Sequence, residues 1–178
     1  TTSHPDVYAC GDVAEAYDFI YESNRLTPIW PNAYMGGKVA GYNMAGYQVE
    51  YQGGTGMNSF NYDQLSVVSA GIVDPEDKAH YPVLTRSNGK PGHYRKVVLH
   101  QGRVVGLICA GDIEGSGVLL DLMRERINVR KYKEALLEDG MGLALLPEKV
   151  RREKLNSVRK HSEPAVAEAE TDDVAVDG

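Results

Sequence analysis

Cysteine is scarce in this sequence. Its 178 residues include only Cys10 and Cys109, too few for a disulfide framework. No C-x-x-C pair occurs. Each cysteine sits in an apolar run, which predicts two buried structural thiols in a reducing compartment, because free cysteine is among the most buried residue types. The five histidines (His4, His80, His93, His100 and His161) are scattered without metal-ligand spacing, which argues against a structural zinc site. No stretch approaches the roughly 20 continuous apolar residues of a membrane span. No basic segment leads into an apolar one, so the sequence as written carries no signal peptide. With few cysteines and no targeting segment, a cytoplasmic location is expected. No internal repeat and no G-x-G-x-x-G fingerprint is present.

A basic excess is also lacking. The formal net charge is −6, from 25 acids against 19 bases. Six of the acids (Glu163, Glu168, Glu170, Asp172, Asp173 and Asp177) lie beyond Ser162 with no base among them. Without them the charges balance, so the negative charge belongs to the tail. Eleven bases between Arg124 and Lys160 are interleaved with Glu125, Glu134, Glu138, Asp139, Glu148 and Glu153. That pattern reads as a solvated helix face rather than a nucleic-acid surface.

Glycine is abundant: 19 residues, against a usual share of about 7%. The opening residue is Thr1, with a strand-like run close behind it, which suggests a piece of a longer chain. Asp6 to Cys10 reads as a short buried strand ending in Gly11-Asp12. Val13 to Asn24 is mixed and acidic, the pattern of a loop with a helical turn. Pro31 suits the first turn of a helix, where its missing N–H costs nothing. From Asn32 to Ala45, small and apolar residues recur at three- and four-residue steps, predicting a helix packed closely against something, with Gly46 as its cap.

The character changes near Glu50. Gln52 to Gly56 (QGGTG) reads as a plain loop. From Asn58 onward the chain reads as β, with strands over Leu65 to Val73, His93 to Leu99 and Arg103 to Ala110. Gln101-Gly102 is a two-residue hairpin signal, and Asp74 to Tyr81 is a polar connection. Helical steps then run from Val118 to Leu137, ended by Gly140 and Gly142. A second, basic helix is expected over Pro147 to Val158, and disorder beyond Ser162. The expected organisation is residues 1–49, then an α+β domain at 50–160 with an antiparallel sheet and helices packed on it, then an acidic tail at 161–178.

Two features carry possible chemistry. Gly11 lets a backbone approach a ligand closely, and Asp12, at the carboxyl edge of a sheet, can accept hydrogen bonds from sugar hydroxyls. The helix opened by Trp30-Pro31-Asn32-Ala33 offers N–H groups and partial positive charge. Gly111 to Gly117 (GDIEGSG) also precedes a helix, but Asp112 and Glu114 would repel an anion there. The eleven tyrosines are read mainly as interface and core packing; a sharper reading has one of them, such as Tyr62, reaching an active site across a dimer.

The run TTSHPDVYACGDV, followed by PNAYMGGKVAGYNMAG, resembles the end of the FAD-binding domain of the pyridine nucleotide-disulfide oxidoreductase superfamily. The family pattern is a T-S-x-P-x-I/V-Y-A-x-G-D-V strand and then a small-residue helix. The two segments cover residues 1–13 and 31–46. The resemblance implies that Gly11 and Asp12 meet the flavin ribityl chain or its pyrophosphate, and that amides near Asn32 and Ala33 face the flavin pyrimidine edge. It implies FAD as cofactor and NAD(P)H as substrate of the parent protein. The acceptor would be a disulfide or persulfide, oxygen or a small carrier. Cys10 stands where the family usually has a small apolar residue, so no redox role is implied for it. Residues of about 50–137 resemble the family's interface domain, which implies a homodimer, with the sheet face and the Val118–Leu137 helix as candidate surfaces. Residues 1–49 are then the strand-helix remnant of an α/β FAD-binding domain, and neither nucleic acid nor membrane is an expected partner. A free-standing α+β binding domain is the alternative; it requires the opening strand to be paired within this chain.

Overall fold

A computed structural model describes residues 1–87, 89, 92–138, 141, 142, 146, 148, 149, 151 and 152. The chain divides into two compact units, Thr1–Leu145 and Leu146–Gly178. In the second unit, residues 148, 149, 151 and 152 are helical, with an Arg152–Glu148 ion pair of 2.7 Å one turn apart. The rest of the helix predicted over Pro147–Val158 lies outside the described residues, as do Gly140 and the acidic tail. Among the described residues, no helix is long and apolar enough to cross a membrane.

The first unit is built on a five-stranded antiparallel sheet. Its strands are β3 (Met57–Tyr62), β4 (Leu65–Gly71), β5 (Val83–Arg86), β6 (Tyr94–His100) and β7 (Arg103–Ala110), ordered β3-β4-β7-β6-β5. The β6–β7 hairpin turns at Gln101-Gly102, as its sequence predicts. Both residues have left-handed φ, +51° and +79°, the twist a two-residue hairpin needs. Strand β5 has no sequence signal of its own. Its four residues, flanked by Pro82 and Ser87, are held by register against β6, with Leu84 opposite Val97.

Alternation along the strands separates the two sheet faces. Val68, Cys109 and Arg95 stand in one cross-strand row, and Ala70, Leu107 and Val97 in the next; all six are buried. Helix α2 (Ser116–Arg124) packs on β7 and completes this core with Leu119, Leu122 and Met123. Each such side chain contributes about 1.5–3 kcal/mol when fully buried. The opposite face carries the row Phe60, Val67, Ala110 and Tyr94, whose two aromatic ends are exposed.

The helix predicted over Val118–Leu137 is broken in two. Helix α2 stops at Arg124, and a 3₁₀ segment takes up Arg130–Leu137. Arg126, at φ +54°, closes the first helix: its N–H donates to Met123 O and that of Ile127 to Leu122 O, the Schellman pattern. The break has a tertiary cause. Val129 is fully buried and donates its N–H to Gly102 O at 2.7 Å, so the chain must leave the helix to reach the β6–β7 turn.

The first 49 residues differ more from expectation. The predicted strand over Asp6–Cys10 is not formed. Cys10 is extended (φ −154°, ψ 167°), but among the described residues no strand lies alongside to pair it. Residues 2–7 bond to themselves instead, Thr2 N–H to Val7 O and Val7 N–H to His4 O. Cys10 is accordingly exposed, a correction to the buried thiol predicted, whereas Cys109 is buried. In place of a loop over Val13–Asn24 there is a short hairpin, β1 (Ala16–Asp18) with β2 (Ser23–Arg25). Helix α1 (Trp30–Met44) forms where predicted, and Gly46 (φ +91°) follows its end. The close packing expected of its small residues is realised in part: a Cβ at Gly36 would lie 3.2 Å from that of Cys10 and Ala40 is buried, whereas Gly37 and Gly41 face open space.

Candidate functional site

The opening turn brings the predicted residues into one neighbourhood. Gly11 sits at φ +76°, a conformation that costs other L-residues roughly 1–2 kcal/mol. A Cβ there would meet the Ala33 Cβ at 3.4 Å, an ordinary contact, so the backbone angle and not lack of space calls for glycine. Gly11–Val13 form a 3₁₀ turn closed by Ala14 N–H on Gly11 O, and Asp12 is exposed within it.

The first two turns of helix α1 pack against this turn, Ala33 beside Gly11 and Gly36 beside Cys10. Ile29 is its extended cap residue, Pro31 lies in its first turn, and no side chain caps it. Ala33 N–H donates to Ile29 O at 3.1 Å, so that amide is spent inside the helix. The N–H groups ahead of it have no helical acceptor, and the helix dipole adds partial positive charge. Between the turn and the helix lies a cleft of about 500 Å³, lined by Tyr8, Cys10, Gly11, Asn32, Gly36 and Tyr51 among others. This is within the range of small-molecule sites, about 300–1,000 Å³. Gly11 and Asn32 line the cleft; Asp12 and Ala33 are their chain neighbours. Burial pushes the Tyr51 hydroxyl above the usual tyrosine range, and the Asp18 carboxylate adds to the shift.

Sequence reading missed the residues that hold this cleft together. Asp18 is 2% exposed. One carboxylate oxygen accepts the N–H groups of Ile20 (2.8 Å) and Tyr21 (3.2 Å), and the other accepts the Thr55 hydroxyl at 3.2 Å. Thr55 O accepts the side-chain amide of Asn32 at 3.4 Å. The loop read as plain therefore docks on β1: Gly54 N–H donates to Tyr17 O, and Phe19 N–H to Gly54 O. An aspartate before a turn and a Gly-Thr pair were the available signals, but neither pairs with the other by any sequence rule. At its far end α1 is tied down by Asn43, whose side-chain amide donates to Val39 O (2.8 Å) and Val49 O (2.7 Å).

A second buried polar group lies in the sheet core. Arg95 is 5% exposed and donates to Glu138 O at 2.6 Å, Glu114 O at 2.8 Å and the Asp112 carboxylate at 3.5 Å. The GDIEGSG segment is thus organised around Arg95, with Glu114 N–H donating to the Asp112 carboxylate. Beside it, burial pushes the Cys109 thiol up, against a smaller opposing pull from Arg95.

An antiparallel sheet domain preceded by a Gly-Asp turn and a small-residue helix is also the arrangement at which comparison with known proteins finds likeness, to the C-terminal part of pyridine nucleotide-disulfide oxidoreductases. Residues 57–127 match the rubredoxin NAD+ reductase C-terminal domain. An NADH oxidase of Methanocaldococcus jannaschii is 30% identical over 127 residues, covering 62% of this chain and 27% of that protein. A CoA-dependent NAD(P)H sulfur oxidoreductase of Pyrococcus furiosus is 35% identical over 97 residues, covering 52% and 22%. A FAD-dependent pyridine nucleotide-disulphide oxidoreductase from Desulfovibrio vulgaris shares the fold with a TM-score of 0.64 at 18% identity, over 87% of this chain and 40% of that one. The chain is thus similar to the C-terminal part of these oxidoreductases and spans about a quarter of the length of the curated relatives it matches.

Proposed function

We propose that this chain is part of an FAD-dependent NAD(P)H oxidoreductase in which residues 1–49 supply one edge of the flavin site and residues 50–160 pair two subunits. The observation that carries the reading is the juxtaposition of the positive-φ Gly11 turn with the first turn of α1 across one cleft. The lining residues suit the group: a turn glycine that keeps the wall low and a helix start at Asn32 for an electron-rich ring edge; Asp12, exposed and outside the lining, would turn its carboxylate in to meet hydroxyl groups. A bound flavin would supply the redox chemistry, while the protein contributes binding and orientation. Gly11 and Asp12 would hold the ribityl chain or pyrophosphate, and the first turn of α1 would orient the ring. The parent's acceptor would be a disulfide or persulfide, oxygen or a small carrier.

The apolar side of α2 is spent inside the chain, so the candidate dimer surface narrows to the open sheet face. Its row of Phe60, Val67, Ala110 and Tyr94 has small residues in the middle and aromatics at both ends. A second copy related by a two-fold axis through that middle would set Phe60 against its partner's opposite end, as an isologous contact requires. Sheets stack face to face about 10 Å apart. Both thiols are free, which favours the cytoplasm.

Reading the gene upstream of Thr1 tests the enzyme assignment. Two G-x-G-x-x-G fingerprints, each after a buried strand, are expected; a start codon immediately before Thr1 overturns it. Light scattering tests the pairing: a dimer at micromolar concentration is expected, and a monomer refutes it. Tight FAD binding by this chain alone would contradict the claim that it holds only one edge of the site.

A further inference from the structure

We propose that Asp18, Gly54 and Thr55 are positioning residues: they clamp the first turn of α1 and thereby set the ligand-facing edge of the cleft. The identity of the ligand rests on the reading above; the clamp itself rests on geometry.

Three contacts converge on that turn. The buried Asp18 carboxylate fixes the Thr55 hydroxyl at 3.2 Å. That bond sets the direction of the Thr55 carbonyl, which receives the Asn32 side-chain amide at 3.4 Å. Gly54 lies flush against the same carboxamide: a Cβ at Gly54 would overlap the Asn32 side chain, with Nδ2 only 2.7 Å away. The Gly54 backbone is itself pinned on both sides, to Tyr17 O and Phe19 N–H. Asn32 has one further acceptor, Thr27 O at 3.5 Å. The helix start thus has no side-chain cap of its own, and among the described residues its side-chain hydrogen bonds to the Gly53–Thr55 loop run through Asn32. Asn32 and Gly54 both line the cleft, so a shift at the clamp moves the cleft wall directly.

A role confined to folding would lower stability evenly; positioning predicts a local effect that follows Asn32. The test uses the 178-residue chain and amide hydrogen exchange at the two ends of α1. Thr55→Val keeps the shape and removes the hydroxyl. It should speed exchange at residues 33–36 roughly three- to tenfold, the range one lost hydrogen bond produces, and leave residues 40–46 unchanged. Thr55→Ser should restore the native rates. Gly54 does not have positive φ, so Gly54→Ala strains no backbone angle and its Cβ meets the Asn32 side chain first; it should reproduce the local effect. In an Asn32→Ala background, Gly54→Ala should add nothing, the non-additivity expected of residues acting through one contact. Equal acceleration at both ends of the helix, no acceleration, or additive effects of Gly54→Ala and Asn32→Ala would each overturn the clamp. The flavin reading is tested apart from the clamp, by the sequence upstream of Thr1: its failure there, with the exchange pattern as expected, would overturn the flavin reading and leave the clamp standing.

Discussion

Arg95 should be the most sensitive polar position in the sheet core. It reaches the core from the middle of β6, with its guanidinium bonded to two carbonyl oxygens and a carboxylate. Arg95→Leu removes the charge and leaves three acceptors without their donor. A hydrogen bond from a charged group contributes about 1.5–3 kcal/mol, so the two short bonds suggest roughly 3–6 kcal/mol. Two effects reduce that. Leucine adds apolar packing where replaced buried charges are often tolerated. Glu114 and Glu138 are exposed residues, so water can reach part of the vacated geometry. A net loss of about 2–4 kcal/mol remains, a large fraction of an ordinary domain's 5–15 kcal/mol. At about 3 °C per kcal/mol for a unit of this size, the melting temperature should fall by roughly 6–12 °C. Urea unfolding followed by circular dichroism measures it. Arg95→Lys should fall between, since one ammonium cannot span the same three acceptors. The variant should also move the Cys109 thiol further up, because the group that pulls it down is gone; thiolate absorbance in a pH titration follows this. A loss below about 1 kcal/mol would refute the claim that the guanidinium joins β6 to the segments at Asp112 and Glu138.

Other expectations are simpler to check. The two cysteines should separate cleanly with a thiol reagent: exposed Cys10 reacts at once and buried Cys109 only on unfolding, and equal rates would contradict the fold around β7. Gly106→Ala places a Cβ onto the Ile72 carbonyl oxygen at the β4–β7 crossing; since backbone cannot swing aside as a side chain does, a loss of at least about 1–3 kcal/mol is expected in a melt. Asp77 accepts the His80 ring nitrogen at 2.6 Å and also the His80 and Ala79 amides, which hold its carboxyl below the usual range, the side-chain bond most of all. Its contribution to stability is therefore present above the ordinary carboxylate value of about 3.9 and lost as pH falls through the lower folded value. NMR titration of that carboxyl should show a depressed midpoint that returns upward in His80→Ala. For Tyr51 the sign is reversed: with the folded value raised, stability is full below about pH 10 and lost as pH rises toward that value, so Tyr51→Phe should flatten the alkaline limb of a stability profile.

The sheet domain was legible because its signals are local. Apolar, β-branched runs mark β4 and β7, alternation marks β6, and the Gln101-Gly102 turn dictates its own hairpin. Helix α1 was legible for the same reason, with Pro31 at its start and Gly46 past its end. The failures share one cause as well. The apolar steps from Val118 to Leu137 suit a continuous helix, but Val129 is claimed by the Gly102 carbonyl, and a distant hydrogen bond outweighs a period. Asp6–Cys10 has the composition of a buried strand and remains unpaired, because a strand is completed only by neighbours that lie beside it. Cys10 is exposed for that reason.

The sequence by itself determined helix α1, strands β4, β6 and β7 and the Gln101-Gly102 hairpin turn, since each is written in spacing and turn chemistry along the chain. Only the tertiary structure decided what surrounds the candidate site. Asp18, Asn32 and Thr55 are up to 37 residues apart, and each alone is an ordinary polar residue in a turn, helix start or loop. Their meeting depends on how the β1–β2 hairpin and the Gly53–Thr55 loop fold against α1. Burial then gives those hydrogen bonds their weight, because a buried polar group without its partner costs about as much as the bond it lost.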